Sequence, residues 1–182
     1  AFLIVPLMMM FWVSSVSADE QSTTLQYHCL GSAFGLIDVD IVMDVEVTST
    51  LPERVAPGEE FSIENSYTTI TMEVTELLRA ATNPLEGNVS QFNLEFVNAT
   101  ETGTGASSVS VAEGGLTFGP IPIGEDQESV TFRVPETDGR NVNLTAGEEG
   151  VIEIVAGEIV TSVKALGLLD VDVTCNPVEG ED

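Results

Sequence analysis

Basic residues are what this sequence most conspicuously lacks. Across 182 residues it carries five Lys plus Arg against 30 Asp plus Glu, a formal net charge of −25. Such a polyanion repels phosphate backbones, because nucleic-acid binding rests on Lys and Arg neutralising phosphates, so nucleic acid is excluded as a partner. Histidine is nearly absent too: His28 is the only one. It adjoins Cys29 in a predicted strand, where neighbouring side chains point to opposite faces, and neither a Ser–His–acid triad nor a Cys29/His28 dyad is expected. No G-x-S-x-G elbow surrounds any serine. Two carboxylates suffice for a glycosidase, but an abundance of them singles out no pair. Aromatic residues make up 6% of the chain, and the one tryptophan, Trp12, lies in the N-terminal apolar run. A carbohydrate platform would have to rest on Tyr27, Tyr67 and phenylalanines, and the phenylalanines read as core. No catalytic residue is predicted, and the chain is expected not to be an enzyme.

What is present is enough for one domain. The chain is 43% hydrophobic by a wide count, which permits an ordinary core rich in Val, Ile and Leu, and no linker composition divides it. Residues 1–18 open with the apolar run AFLIVPLMMMFWV and close with Val16-Ser17-Ala18 before Asp19-Glu20. This pattern predicts a signal peptide cut after Ala18, and hence a secreted, extracellular or cell-surface protein. No basic residue precedes the run and the chain does not start with Met, so the leader is expected to begin upstream of Ala1. A retained membrane anchor is the alternative. The mature chain then divides into a polar lead-in over 19–26, a domain over 27–176 and an acidic tail over 177–182.

Gly35 to Val47, GLIDVDIVMDVEV, returns near the other end as Gly167 to Thr174, GLLDVDVT, with five of eight aligned residues identical. In both, apolar and acidic residues alternate as a half-buried strand requires. Pro57-Gly58 marks a turn, and alternation resumes over Phe61–Ile63 and Tyr67–Val74. Thr75 to Ala81 reads as one helical turn, with Thr75 as its cap and Leu77, Leu78 and Ala81 on one side; Asn83-Pro84 ends it. Short strands follow over Val89–Asn98, Ser107–Ala112, Leu116–Phe118, Val130–Val134, Val142–Leu144, Val151–Val155 and Ile159–Ala165. Gly119-Pro120-Ile121-Pro122 reads as an extended connector. About ten short strands with almost no helix predict an all-β fold, an antiparallel immunoglobulin-like β-sandwich. In an exported chain the two cysteines, Cys29 and Cys175, predict one disulfide tying the first strand to the last; free thiols, or half of a metal site with His28, are the alternatives.

Several landmarks resemble a known family: Tyr27-x-Cys29, Pro52, Pro57-Gly58, Leu77–Ala81 followed by Glu86-Gly87, and Thr174-Cys175-Asn176-Pro177. They are similar to those of secreted β-sandwich domains of Gram-positive bacteria, chiefly actinobacteria, a family with no assigned function. The resemblance implies an exported domain with a disulfide between its terminal strands, and it implies no catalytic residues.

The acidic surface has three readings: a soluble, self-repelling extracellular face, adaptation to high salt, or a cation site. For the last, Asp38, Asp40, Asp170 and Asp172 are the candidate ligands, since hard cations such as Ca²⁺ take oxygen donors. No EF-hand loop is present, and a solvated acidic face is the simpler reading. The expected role is a non-enzymatic secreted or cell-surface structural or interaction module, with a cell-surface or extracellular protein or glycan as partner. The alternative is a subunit of an extracellular filament, self-associating through edge-strand pairing.

Overall fold

The computed structural model describes residues 18–33 and 37–178. The predicted leader, apart from Ala18, and the last four residues of the predicted acidic tail lie outside the described residues.

Eleven strands and one short helix are described: β1 (Ala18–Ala33), β2 (Ile37–Pro52), β3 (Glu60–Glu73), α1 (Glu76–Ala81), β4 (Leu85–Val97), β5 (Ala99–Glu101), β6 (Ser108–Ser110), β7 (Leu116–Ile121), β8 (Ser129–Val134), β9 (Arg140–Ala146), β10 (Glu153–Ala165) and β11 (Leu169–Pro177). The fold is all-β and antiparallel with very little helix, as the turn-punctuated alternation predicts. The strands are longer than expected, because pairs predicted as separate are continuous. Phe61–Ile63 and Tyr67–Val74 join in β3 through Asn65, which takes a left-handed conformation at φ 50°. The 151–155 and 159–165 segments join across a bulge at Ala156/Ile159 as β10, whose first strand residue is Glu153. Residues 19–26 are no lead-in: they pair with residues 44–51 of β2. They are exposed except for half-buried Leu25, so they carry no alternation for a sequence reading to detect. The 119–122 connector also differs. β7 runs through Gly119 and Pro120 to Ile121, which is tolerated because β7 pairs with β4 alone and its other edge requires no ladder N–H.

All strands join one sheet in the order β5-β9-β3-β2-β1-β11-β10-β4-β6, with β8 added to β3 and β7 added to β4. Two long strands change partner along their length, and this bends the sheet over on itself. β3 pairs with β9 through its first half and with β8 through its second. β4 pairs with β7 near its start and with β6 later. The β7 and β8 edges are thereby brought face to face, where Phe118 and Phe132 stack with ring centroids 4.9 Å apart. Gly87 makes room for this seam, since a Cβ there would lie 2.6 Å from the Phe118 ring. The strands β8-β3-β2-β1-β11-β10-β4-β7 thus run round a barrel-like interior.

The two copies of the motif fall on β2 from Ile37 onward and on β11 from Leu169 onward, and both strands flank β1. Gly31 of β1 stands opposite Val39 on one side and Val173 on the other. Sequence alignment of the copies pairs Val39 with Val171, so the copies are offset by two residues across β1. An offset of two keeps the same side chains inward. Cys29 and Cys175, directly opposed in the β1–β11 ladder, form the disulfide.

Candidate functional site

At one end of the barrel the inward side chains do not fill the space they enclose. A cavity of about 330 Å³ remains, large enough for a small ligand. Its wall follows the strand alternation. Val39, Ile41 and Met43 come from β2, Ile70 and Met72 from β3, Leu85 and Val89 from β4, Ile159 and Val163 from β10, and Val171 and Val173 from β11. Phe118 and Phe132 form the seam side, and the Cys29–Cys175 bridge lies in the wall. Every strand here presents alternate residues inward, and they are mostly Val, Ile and Met, which leave more space than rings do.

The helix α1 lies across this end, contributing Leu77, Leu78 and Ala81 to the lining. Thr75 caps it: its backbone is extended (φ −79°, ψ 162°) and its Oγ1 accepts from the Leu78 N–H at 3.1 Å. Three contacts hold the helix in place. Arg79 donates through Nη1 to the Glu125 carbonyl and through Nη2 to that of Gln127 at 2.7 Å. Asn83 donates from Nδ2 to the Ile123 carbonyl at 3.0 Å, while its Oδ1 accepts from the Ile123 N–H at 3.2 Å. The Leu166 N–H, in the β10–β11 turn, donates to the Ala81 carbonyl at 2.6 Å. That last bond brings a second exposed apolar group to the helix end. Leu77 on α1 is 52% exposed, and Leu166 and Leu168 in the turn are 60% and 88% exposed. Leu77 both lines the cavity and faces water, and Leu166 and Leu168 add exposed apolar surface in the neighbouring turn.

The lining offers almost no free polar chemistry. Its three threonines are engaged with backbone: Thr75 as cap, Thr82 Oγ1 donating to the Leu78 carbonyl at 2.6 Å, and Thr161 Oγ1 donating to the Asn88 carbonyl at 3.1 Å. No lining residue is basic, and Asp38 and Asp40 border the cavity at its rim with their side chains exposed. The arrangement suits an apolar guest held by burial and dispersion rather than by directed hydrogen bonds.

The four aspartates singled out in the sequence sit on the outer face and are not gathered. β1 separates β2 from β11, so Asp38 and Asp40 stand two strand spacings, about 10 Å, from the β11 pair. That exceeds the reach of Ca²⁺ coordination at about 2.3–2.6 Å per ligand. Among the described residues no group of three or more Asp, Glu, His or Cys side chains is arranged to hold a metal ion. Asp40 is instead paired with His28 at 2.8 Å on the exposed face. Asp170 lies opposite Lys164 in the β10–β11 ladder. The Lys164 ammonium is 3.0 Å from Glu86, and that hydrogen bond, with the charge behind it, raises its pKa. His28 and Cys29 face opposite sides, His28 outward and Cys29 buried.

Away from the cavity, Tyr27 is fully buried, and its hydroxyl donates to the Gly157 carbonyl at 2.9 Å in the β10 bulge. Burial pushes its phenol up to about 12. Sequence reasoning placed Tyr27 at the start of the domain and named it as a stacking residue for a carbohydrate platform, which its full burial rules out. The cavity itself was also missed: alternation says which residues face inward and is silent on how much of the interior they fill.

Comparison with curated proteins and with solved structures returns no match. Residues 26–182 match the model of a family of unknown function, DUF6801, and the chain belongs to that family.

Proposed function

We propose that the protein is a non-enzymatic, exported binding module whose ligand is a small apolar molecule held in the barrel. The observation that carries the reading is the 330 Å³ cavity, walled by aliphatic side chains and with every threonine hydroxyl of its lining already bonded to backbone. The signal-like segment 1–18 and the Cys29–Cys175 bridge support export, because disulfides persist in oxidising compartments. The filament alternative would run through edge segments: β5 and β6, which end the strand order, are three residues each, and residues 18–26 of β1 share a ladder with β2 alone.

Titration with the neutral fluorescent probe N-phenyl-1-naphthylamine tests the cavity. One saturable site is expected per chain, and Val163→Phe, which fills the space from the wall, should abolish it while thermal stability is kept or raised. Absence of saturable binding, or binding unaffected by the filling, would falsify the cavity as the site. Size-exclusion chromatography at rising protein concentration separates the module from the filament: a single small species is expected, and growth into long assemblies would favour the alternative.

A further inference from the structure

We infer that the cavity selects amphiphiles by head-group charge: it takes one apolar chain whose head is uncharged or cationic, and it discriminates against carboxylate and phosphate heads. This rests on the apolar-cavity reading above and adds the ligand class.

The volume limits the tail. At about 330 Å³ the cavity is at the small end of ligand sites, of a size for one apolar chain. A tail too long for the cavity would leave carbons beside Leu77, which lines it and is half exposed. Either way the head stays at the mouth, because nothing in the lining compensates a charge taken inside, and burying an uncompensated charge is prohibitive.

The two ionisable residues that border the cavity are both carboxylates, Asp38 and Asp40, with their side chains exposed. The basic groups next to lining residues in the sequence are already engaged. Arg79 donates to the carbonyls of Glu125 and Gln127, and Lys164 pairs with Glu86. Arg133 stacks on the Tyr67 ring at 3.7 Å and donates to the Thr137 carbonyl. His28 is held by Asp40. Among the described residues none that lines the cavity is basic, so the lining holds no cation to receive an anionic head, as a site for fatty-acid carboxylates or phosphates would require. The net charge of −25 adds a same-signed field that an anion must approach against.

The test displaces N-phenyl-1-naphthylamine from the whole protein with three twelve-carbon amphiphiles, each below its micelle concentration: monolaurin, dodecyltrimethylammonium and dodecanoate. Monolaurin and the ammonium are expected to displace the probe at concentrations at least tenfold below dodecanoate in low salt. The gap should narrow in 1 M salt, where the screening length falls to about 3 Å. The Asp38→Asn/Asp40→Asn double variant should narrow it as well. Calorimetry on Val163→Phe separates cavity binding from adsorption of the cation to the acidic surface, since only the former is lost with the filled cavity. Dodecanoate matching or surpassing monolaurin would overturn the charge selection and leave the apolar site standing. A probe that never binds would remove the site, and this inference with it.

Discussion

Along β4 the two halves of the molecule can be compared within one strand. Leu85 and Val89, near its start, line the cavity under α1; Phe92, Leu94 and Phe96, further on, are buried at the other end with no such space beside them. The same contrast runs across the sheet. Val45, Ile63 and Leu144 at the far end are sealed, whereas Val39, Ile41 and Val163 point into the same interior and stay half-buried. The hydrogen-bonded ladders continue through both halves, so the halves differ in how their side chains pack. Phe92, Leu94, Phe96 and Leu144 are buried together at one end. At the other, Val, Ile and Met with the Phe118–Phe132 pair leave a space between them, and a six-residue helix lies over it. A sheet can therefore carry a rigid half and a receptive half without any change in backbone architecture.

The largest effect is expected where the two halves are tied together. Replacing Cys29 and Cys175 by alanine opens a loop spanning 146 residues of sequence separation, and chain-entropy models assign such a closure on the order of 5 kcal/mol, an upper figure for a real bridge. Chemical denaturation of the double variant should show a lower midpoint at similar slope. An unchanged midpoint would mean that the sheet alone holds β1 to β11.

The comparison itself is sharpened by truncating one residue in each half. Leu144→Ala at the closed end should cost about 3 kcal/mol, in the range for fully buried leucines. Ile41→Ala at the open end removes a half-buried side chain from a wall that already borders empty space, and about 1 kcal/mol is expected. Equal losses from urea melts would show that the two ends are packed alike.

Tyr27 supplies the alkaline counterpart. Its folded pKa of about 12 lies above the ordinary value of 10.0, so below pH 10 the phenol is neutral in both states and contributes no pH dependence. Between pH 10 and 12 the unfolded chain loses its proton first, and stability falls by up to about 3 kcal/mol. Tyr27→Phe should cost about 1 kcal/mol at neutral pH through the lost bond to Gly157. The part of the alkaline decline due to Tyr27 should vanish in the same variant, as followed by melts at a series of pH values. If both proteins decline equally, Tyr27 titrates as an exposed phenol.

Much of the framework was legible because it obeys local rules. The Thr75 cap, the stop at Asn83-Pro84, the alternation of β2 and β11 and the pairing of the only two cysteines each follow from a residue type at a position. Residues 18–26 were illegible as strand because both faces are wet and only pairing with β2 holds them extended. β5, three residues beginning just after Asn98 at φ 59°, is too short to show a period. The four aspartates were legible as an acidic face, but whether strands sharing a motif are neighbours is a matter of topology, and here β1 stands between them. The cavity depends on the sum of side-chain volumes across eight strands, which no stretch of sequence displays.

The place of β11 has a consequence for how the protein comes together. It is the last of the described strands, yet it lies in the middle of the sheet, between β1 and β10. Until residues 169–177 arrive, β1 and β10 each present an unpaired edge, and the cavity has no wall where Val171 and Val173 belong. Folding is thus governed by contacts between the two extremes of the domain, which makes it slow and cooperative. A chain emerging from its N-terminus can neither complete the barrel nor enclose a ligand until that final segment is free.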